Sequence, residues 1–376
     1  MATTHTIRST QIASIIIALY GTGIAPVFVG RPGIGKSDGV AEAVSVLSNK
    51  LSSERGRVVQ LGYHIEHLAS YSEVDVRGYM LPVPSPVPGG APTAQFTKPA
   101  FWSAIEASPD GGVLFFDEFM QASPEVQKVI STLLLDGRIG DYVLPKGWMV
   151  VLAGNGTEDG AGAIELLSHL INRVCMIEVN PPSVEEWCDW AVAAGVPPEL
   201  GAFASLRWGI VVSGEMPATP NTPYITCRSL ARLGFAANNF PGGIKAMSSN
   251  ELGMAIMAGM VGTGAMVEIS SLVQVAMTLP SFADVVKSPS TTPVPTNVSH
   301  LYTMAYMVAA NADPSTADAA ITYLSRMNPD MAVVAITAMV RRDSAMLRCP
   351  AMAKWVLNNR QLIEKYNKYI LTAMGF

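Results

Sequence analysis

Between Gly30 and Ser37 the chain reads Gly30-Arg31-Pro32-Gly33-Ile34-Gly35-Lys36-Ser37, and no other stretch constrains the fold so tightly. The run before it, Ala25-Pro26-Val27-Phe28-Val29, is apolar and suits a buried strand. After it, Val40, Ala43, Val44 and Leu47 recur at helical spacing. Strand, glycine loop and helix is the order in which such a loop can cradle phosphate. Glycines let successive backbone N–H groups turn inward as an anion nest, and the helix N-terminus adds partial positive charge. Lys36 is then expected to reach the β- and γ-phosphates of a nucleoside triphosphate, with the Ser37 hydroxyl on Mg2+. A glycine-rich turn with no ligand is the plainer alternative, and the intact Gly35-Lys36-Ser37 ending speaks against it. Gly30, Arg31, Pro32, Gly33, Ile34, Gly35, Lys36, Ser37 and Asp38 are therefore the candidate nucleotide contacts.

At 376 residues the chain has room for two or three domains. Hydrophobic residues make up 49% and charged residues only 15%, so part of the apolar surface is expected to be covered at subunit interfaces. The net charge is −5 and no run of Lys and Arg occurs, which argues against tracking along nucleic acid through phosphate contacts. Cys175, Cys188, Cys227 and Cys349 show neither pairing nor zinc-type spacing, and no signal peptide is apparent. A reducing, cytoplasmic location is the expectation. The most apolar stretch, 252–267, carries Gly253, Gly259, Gly262 and Gly264, so a buried helix or helix pair is expected there rather than a membrane span.

From residue 25 to about 180, short apolar strands alternate with helical segments, the pattern of a parallel sheet with helices on both faces. Strands are expected at 27–29, 57–61, 113–116, 149–153 and 174–179. The segment 80–94, rich in proline and glycine, reads as an exposed loop, and 135–145 as a β-hairpin following a helix. Pro181-Pro182 closes the α/β region, and helical patterns follow from Val184 with almost no strand signal. A second proline-rich break runs from Pro280 to Pro295. His64-Ile65-Glu66-His67, read as a strand, puts His64 and Glu66 on one face and His67 on the other, so no metal site other than that for Mg2+ is expected. The methionines after Met247 read as core, and Trp187, Trp190 and Trp208 as packing residues of the helical part.

A second constellation narrows the chemistry. The apolar run Gly112-Val113-Leu114-Phe115-Phe116 ends in Asp117-Glu118, which places Asp117 at the strand's C-terminal edge, where it can hold Mg2+. Glu118 can accept a proton from an attacking water, a function that a small-molecule kinase does not need. The bland alternative is two acids capping the helix that starts near Ser123-Pro124-Glu125. A further strand delivers Gly154-Asn155-Gly156, where Asn155 either orients that water or serves as a turn residue. An apolar helix at 166–172 then ends in Arg173, which can point across a subunit boundary at a neighbour's γ-phosphate or cap its own helix through the dipole.

Together, Gly30–Ser37, Val113–Glu118, Asn155, Arg173 and Thr226-Cys227-Arg228-Ser229-Leu230 resemble the motif series of the AAA+ ATPases: Walker A, Walker B, sensor 1, arginine finger and sensor 2. Within that family the chain is most similar to the MoxR branch, including its CbbQ/NorQ-like members. The closer signs are the loop itself, Asp75-Val76-Arg77-Gly78, and Phe116-Asp117-Glu118-Phe119 leading to Leu133-Leu134-Leu135-Asp136-Gly137-Arg138. The likeness covers residues 10 to about 240 and thins beyond. It implies an α/β P-loop core with a parallel five-stranded sheet at 1–180, a helical lid at 181–280, and a C-terminal helical region at 281–376. It also implies a ring, usually hexameric, with ATP at each subunit boundary. Lys36, Ser37, Asp117, Glu118, Asn155 and Arg228 would act in cis and Arg173 from the neighbour. Arg232, one turn on, can take the place of Arg228, and the polar switch residue of the second strand is left open among Gln60, Tyr63 and His64. The expected function is ATP-driven remodelling of a protein client, and the resemblance suggests a von Willebrand factor A domain protein as partner. A motor or loader acting on DNA is the alternative, with Arg138 and Lys146 facing a pore.

Overall fold

The apolar run before the glycine loop forms β2 (Ala25–Val29), and its neighbours build a six-stranded parallel sheet around it. The computed structural model describes residues 6–85, 87–156, 173–213, 219 and 221–366, which divide into two units, Met1–Pro181 and Pro182–Phe376. The sheet belongs to the first unit. Its order is β1 (Thr6–Arg8), β10 (Val174–Asn180), β2, β9 (Trp148–Gly154), β6 (Gly112–Asp117) and β3 (Gly62–His67). Every neighbouring pair is parallel, so both faces need covering. Val113, Phe115 and Val151 face α1 (Ile12–Leu19) and α2 (Lys36–Arg55), packing against Ile12, Ile16, Val40 and Leu47. Leu114, Phe116 and Leu152 point the other way, onto Trp102 and Ile105 of α4 (Trp102–Glu106) and Val126 and Ile130 of α5 (Pro124–Asp136). This is the α/β P-loop fold with a helical C-terminal region that the motif order implies, enlarged by the edge strand β1.

Two local expectations need correction. The strand sought at 57–61 lies instead at β3, because side chains occupy the amides of the earlier run. Val59 N–H donates to Ser52 Oγ at 2.8 Å, Leu61 N–H to Ser48 Oγ at 3.2 Å, and Gln60 N–H to Asp110 Oδ2 at 3.2 Å. Sheet pairing begins only where Gly62 N–H reaches Gly111 O at 2.9 Å. The segment read as a loop at 80–94 contains an antiparallel pair, β4 (Met80–Val83) with β5 (Thr93–Phe96). Pro82 is tolerated there because a two-stranded ribbon leaves one edge of each strand unpaired. The hairpin expected after a helix is present as β7 (Arg138–Ile139) and β8 (Tyr142–Val143). It is tied to β5, since Phe96 N–H donates to Asp141 Oδ2 at 3.0 Å and Tyr142 Oη–H to Phe96 O at 3.1 Å.

Among its described residues the second unit is helical, starting with Val184–Ala193 behind a capping box of Ser183 and Glu186. Its core takes up Met247, Met257, Met304, Met331 and Met339, as expected of the methionine stripes. Trp187 is buried, with Trp208 and Trp190 against its ring, and Trp190, though 46% exposed, also packs edge-on against Phe235. The apolar stretch at 252–267 is a helix pair, Glu251–Val261 and Thr263–Ala276, broken at Gly262, and it keeps Leu252 and Val267 exposed. Asp189, 2% exposed, meets Arg341 at 3.0 Å, and burial pushes its carboxyl up to about 7 despite that guanidinium. Among the described residues no helix is long and apolar enough to cross a membrane.

Candidate functional site

Parallel strands bring their C-terminal ends to one edge, and here β2, β9 and β6 deliver the glycine loop, Asn155 and Asp117-Glu118 side by side. Register fixes the alignment: Val29 is level with Gly154, and Phe116 with Leu152. Gly30 N–H donates to Gly154 O at 3.2 Å, closing β2 against β9 just before the loop departs. Gly33 and Gly35 take φ of 77° and 95°, left-handed values that let the loop curl back onto the first turn of α2. Arg31 and Pro32 are exposed at its crown, while Ile34 is buried against the apolar layer under α1 and α2 and anchors it. Asp38 is exposed in the first turn of α2.

Lys36 is 8% exposed, and its ammonium reaches oxygens of the loop and of the neighbouring strand end. Its Nζ donates to Gly30 O at 2.5 Å, Arg31 O at 3.0 Å and Asn155 Oδ1 at 3.2 Å. Ser37 Oγ–H donates to Asp117 Oδ2 at 3.2 Å. The donor set at that point is a hydroxyl and a carboxylate, hard oxygens of the kind Mg2+ takes. Asn155 and Asp117 therefore each contact a residue of the loop through their side chains.

Glu118 is exposed and carries φ 59° and ψ 27°, a left-handed conformation that costs a non-glycine residue about 1–2 kcal/mol. The chain leaves β6 through this residue and turns at once into the short 3-10 turn Phe119–Gln121, closed by Gln121 N–H on Glu118 O at 2.9 Å. Gly154 makes room for the turn, because a Cβ there would lie 2.3 Å from Met120 Cγ. Backbone strain of this kind gathers where a side chain must be aimed.

One predicted residue of the first unit does not join the cluster. Val174 pairs with Ala25, so Arg173 sits beyond the N-terminal ends of the strands, about 20 Å along the sheet from Gly30. It is exposed, and the preceding helix expected at 166–172 lies outside the described residues. Arg228 belongs to the second unit, exposed in the first turn of the helix Cys227–Asn239, with Arg232 exposed one turn on.

None of the three polar-switch candidates ends the second of the expected strands. Gln60 precedes β3, and His64 faces the opposite layer, its Nε2 2.6 Å from Glu66 Oε1. Tyr63 faces the loop helix, where its Oη–H donates to Ser37 O at 3.2 Å. Burial, reinforced by Asp117 and Asp38, holds that phenol well above its ordinary pKa, so it stays a donor. The strand ends at His67, in register with Asp117. Sequence reasoning leaves His67 out of the strand-end candidates, and misses the supporting contact of Tyr63, because it ends the strand at 61. It also misses Gln127, which is fully buried beneath the Phe119–Gln121 turn.

Fold and site together define an α/β P-loop module with a helical C-terminal region. Comparison of the sequence with protein-family models and with curated proteins gives no match. Among solved structures the chain is similar to NtrX from Brucella abortus in complex with ATP, at 15% identity over 98% of this chain and 70% of that one, with a TM-score of 0.34. It is also similar to a point mutant of RuvB from Thermotoga maritima, at 15% identity over 92% of this chain and 86% of that one, TM-score 0.29. A putative ATPase from Cytophaga hutchinsonii matches at 15% identity over 93% and 87%, TM-score 0.30. Likeness at this level carries no weight for activity, which has to be read from the residues themselves.

Proposed function

We propose that this chain is an AAA+ ATPase of the MoxR branch, acting as a ring, of six subunits by resemblance, that hydrolyses ATP to remodel a protein client. The observation that carries the reading is the meeting of Lys36, Ser37, Asp117 and Asn155 at one sheet edge, beside a strained Glu118. Lys36 and the loop amides would hold the β- and γ-phosphates. Ser37 and Asp117 would hold Mg2+, which when bound offsets phosphate charge. Asn155 orients the attacking water, and the Glu118 carboxylate takes its proton. A loop that only bound nucleotide would have no need of Glu118 in that conformation.

Arg173, at the far edge of the sheet, is out of reach of its own chain's loop along the strand direction. In this reading it completes the site of a neighbouring subunit, and Arg228 or Arg232 contributes from the helical unit. The acidic balance of the chain favours a protein client over DNA, and a von Willebrand factor A domain partner follows from the family likeness alone. A pull-down with Glu118→Gln in ATP tests the client. Enrichment of one protein, lost in the Lys36→Ala background, supports the reading. ATPase stimulation by single-stranded DNA with salt-sensitive binding sinks it in favour of a DNA motor.

A further inference from the structure

Helix α5 lays an apolar face on the sheet, with Val126, Val129, Ile130 and Leu133 buried, and that face is interrupted by a primary amide. Gln127 is 0% exposed. Its Nε2 donates to Phe119 O at 3.5 Å and to Ala122 O at 3.3 Å, the carbonyls of the first residue of the 3-10 turn after Glu118 and of the residue that caps it. Its Oε1 is buried without a hydrogen-bond partner. A half-satisfied buried amide costs stability, about 1–3 kcal/mol for the orphaned acceptor, where a methionine or leucine would fit the apolar face at no such cost.

The turn that Gln127 holds is short: Phe119, Met120 and Ala122 are buried, the Glu118 N–H donates to Asp117 Oδ1 at 2.9 Å, and beyond these few groups fix its backbone. Its backbone bonds are Gln121 N–H on Glu118 O and Ala122 N–H on Phe119 O, and Met120 rests on Gly154 from the other side. Glu118 stands at its head in a left-handed conformation that relaxes unless the residues after it are fixed. We infer that Gln127 is a positioning residue for Glu118, its amide pinning the turn so that the carboxylate keeps the aim hydrolysis requires. The inference rests on the ATPase reading above, and it adds a residue that touches neither nucleotide nor water.

The test is Gln127→Met in the full chain, which keeps the length and removes the amide, with Gln127→Leu beside it should the first fail to fold. Steady-state ATP turnover, affinity for a fluorescent ATP analogue and thermal midpoint are measured together. Turnover is expected to fall about 10- to 100-fold, the scale of a modest misplacement of a reacting group. Nucleotide affinity should stay within about twofold and the thermal midpoint should hold or rise, because an unsatisfied buried acceptor has been removed. A merely structural glutamine would move these readouts differently, with midpoint and affinity falling alongside turnover, and that pattern overturns the inference. So does unchanged turnover in a folded variant. Glu118→Gln in the same assay separates the two levels. If it is inactive while Gln127→Met is fully active, only the positioning role fails; if it is fully active, the base assignment fails and the positioning role with it.

Discussion

Lys36 in the first unit and Asp189 in the second are both ionisable and almost wholly buried, yet they serve their surroundings differently. Lys36 lies where three strand ends converge, its ammonium on oxygens from the loop and from Asn155. Asp189 lies in a helix of the second unit's core, answered by Arg341 from the helix Pro329–Arg342. The difference teaches that a buried charge marks a site only where polar groups from distant parts of the chain meet at an open edge. Elsewhere it is part of the scaffold, and often a costly one.

The largest expected effect concerns the residue that belongs to neither setting. Arg173→Ala should lower ATP turnover about 10³- to 10⁵-fold, the worth of an arginine finger, with nucleotide affinity retained. Mixing it with Lys36→Ala subunits should restore part of the rate, since each mutant supplies what the other lacks. No recovery in any ratio would argue that the first unit's site is complete in one chain.

Glu118→Gln should cut turnover about 10²- to 10⁴-fold at unchanged affinity for an ATP analogue, and it should leave the unfolding midpoint in place. A fall in midpoint would make Glu118 a scaffold residue like Asp189, and the contrast between the units would dissolve.

The second unit should show its buried carboxylate in pH rather than in rate. The folded-state pKa of Asp189 is about 7, above the ordinary 3.8, so the folded chain holds a proton there that the unfolded chain releases. Its contribution is therefore fully present below about pH 4 and is lost as pH rises toward 7, by up to about 4 kcal/mol. Urea unfolding of Asp189→Asn should lose this dependence between about pH 5 and 7. An unchanged slope would mean that Arg341 keeps the carboxylate ionised throughout. The smallest effect is expected from Ser183→Ala. This removes the cap at which Glu186 N–H reaches Ser183 Oγ at 3.2 Å, and it should cost about 1 kcal/mol with turnover unaltered.

Much of the site was legible because its residues announce themselves locally. Gly33, Gly35, Lys36 and Ser37 sit between a strand and a helix, and Asp117 ends an apolar run, so pattern alone set them at a strand edge. What misled was also local. Val58, Val59 and Leu61 have the look of a strand, but Ser48, Ser52 and Asp110, remote in sequence or on another element, take up that segment's amides. Gln127 was invisible because a lone glutamine on a helix is ordinarily a surface residue, and only packing shows that it points inward.

By itself the sequence determined the class of fold and the place of the glycine loop between strand and helix, since glycine spacing and apolar periodicity act over a few residues and need no partner. The strand order, the meeting of Lys36 with Asn155, the strain at Glu118 and the distance of Arg173 from the loop were decided only by the tertiary structure. The physical reason is that sheet register and side-chain burial are settled by segments far apart in the chain. No local preference encodes which strand end will stand beside another.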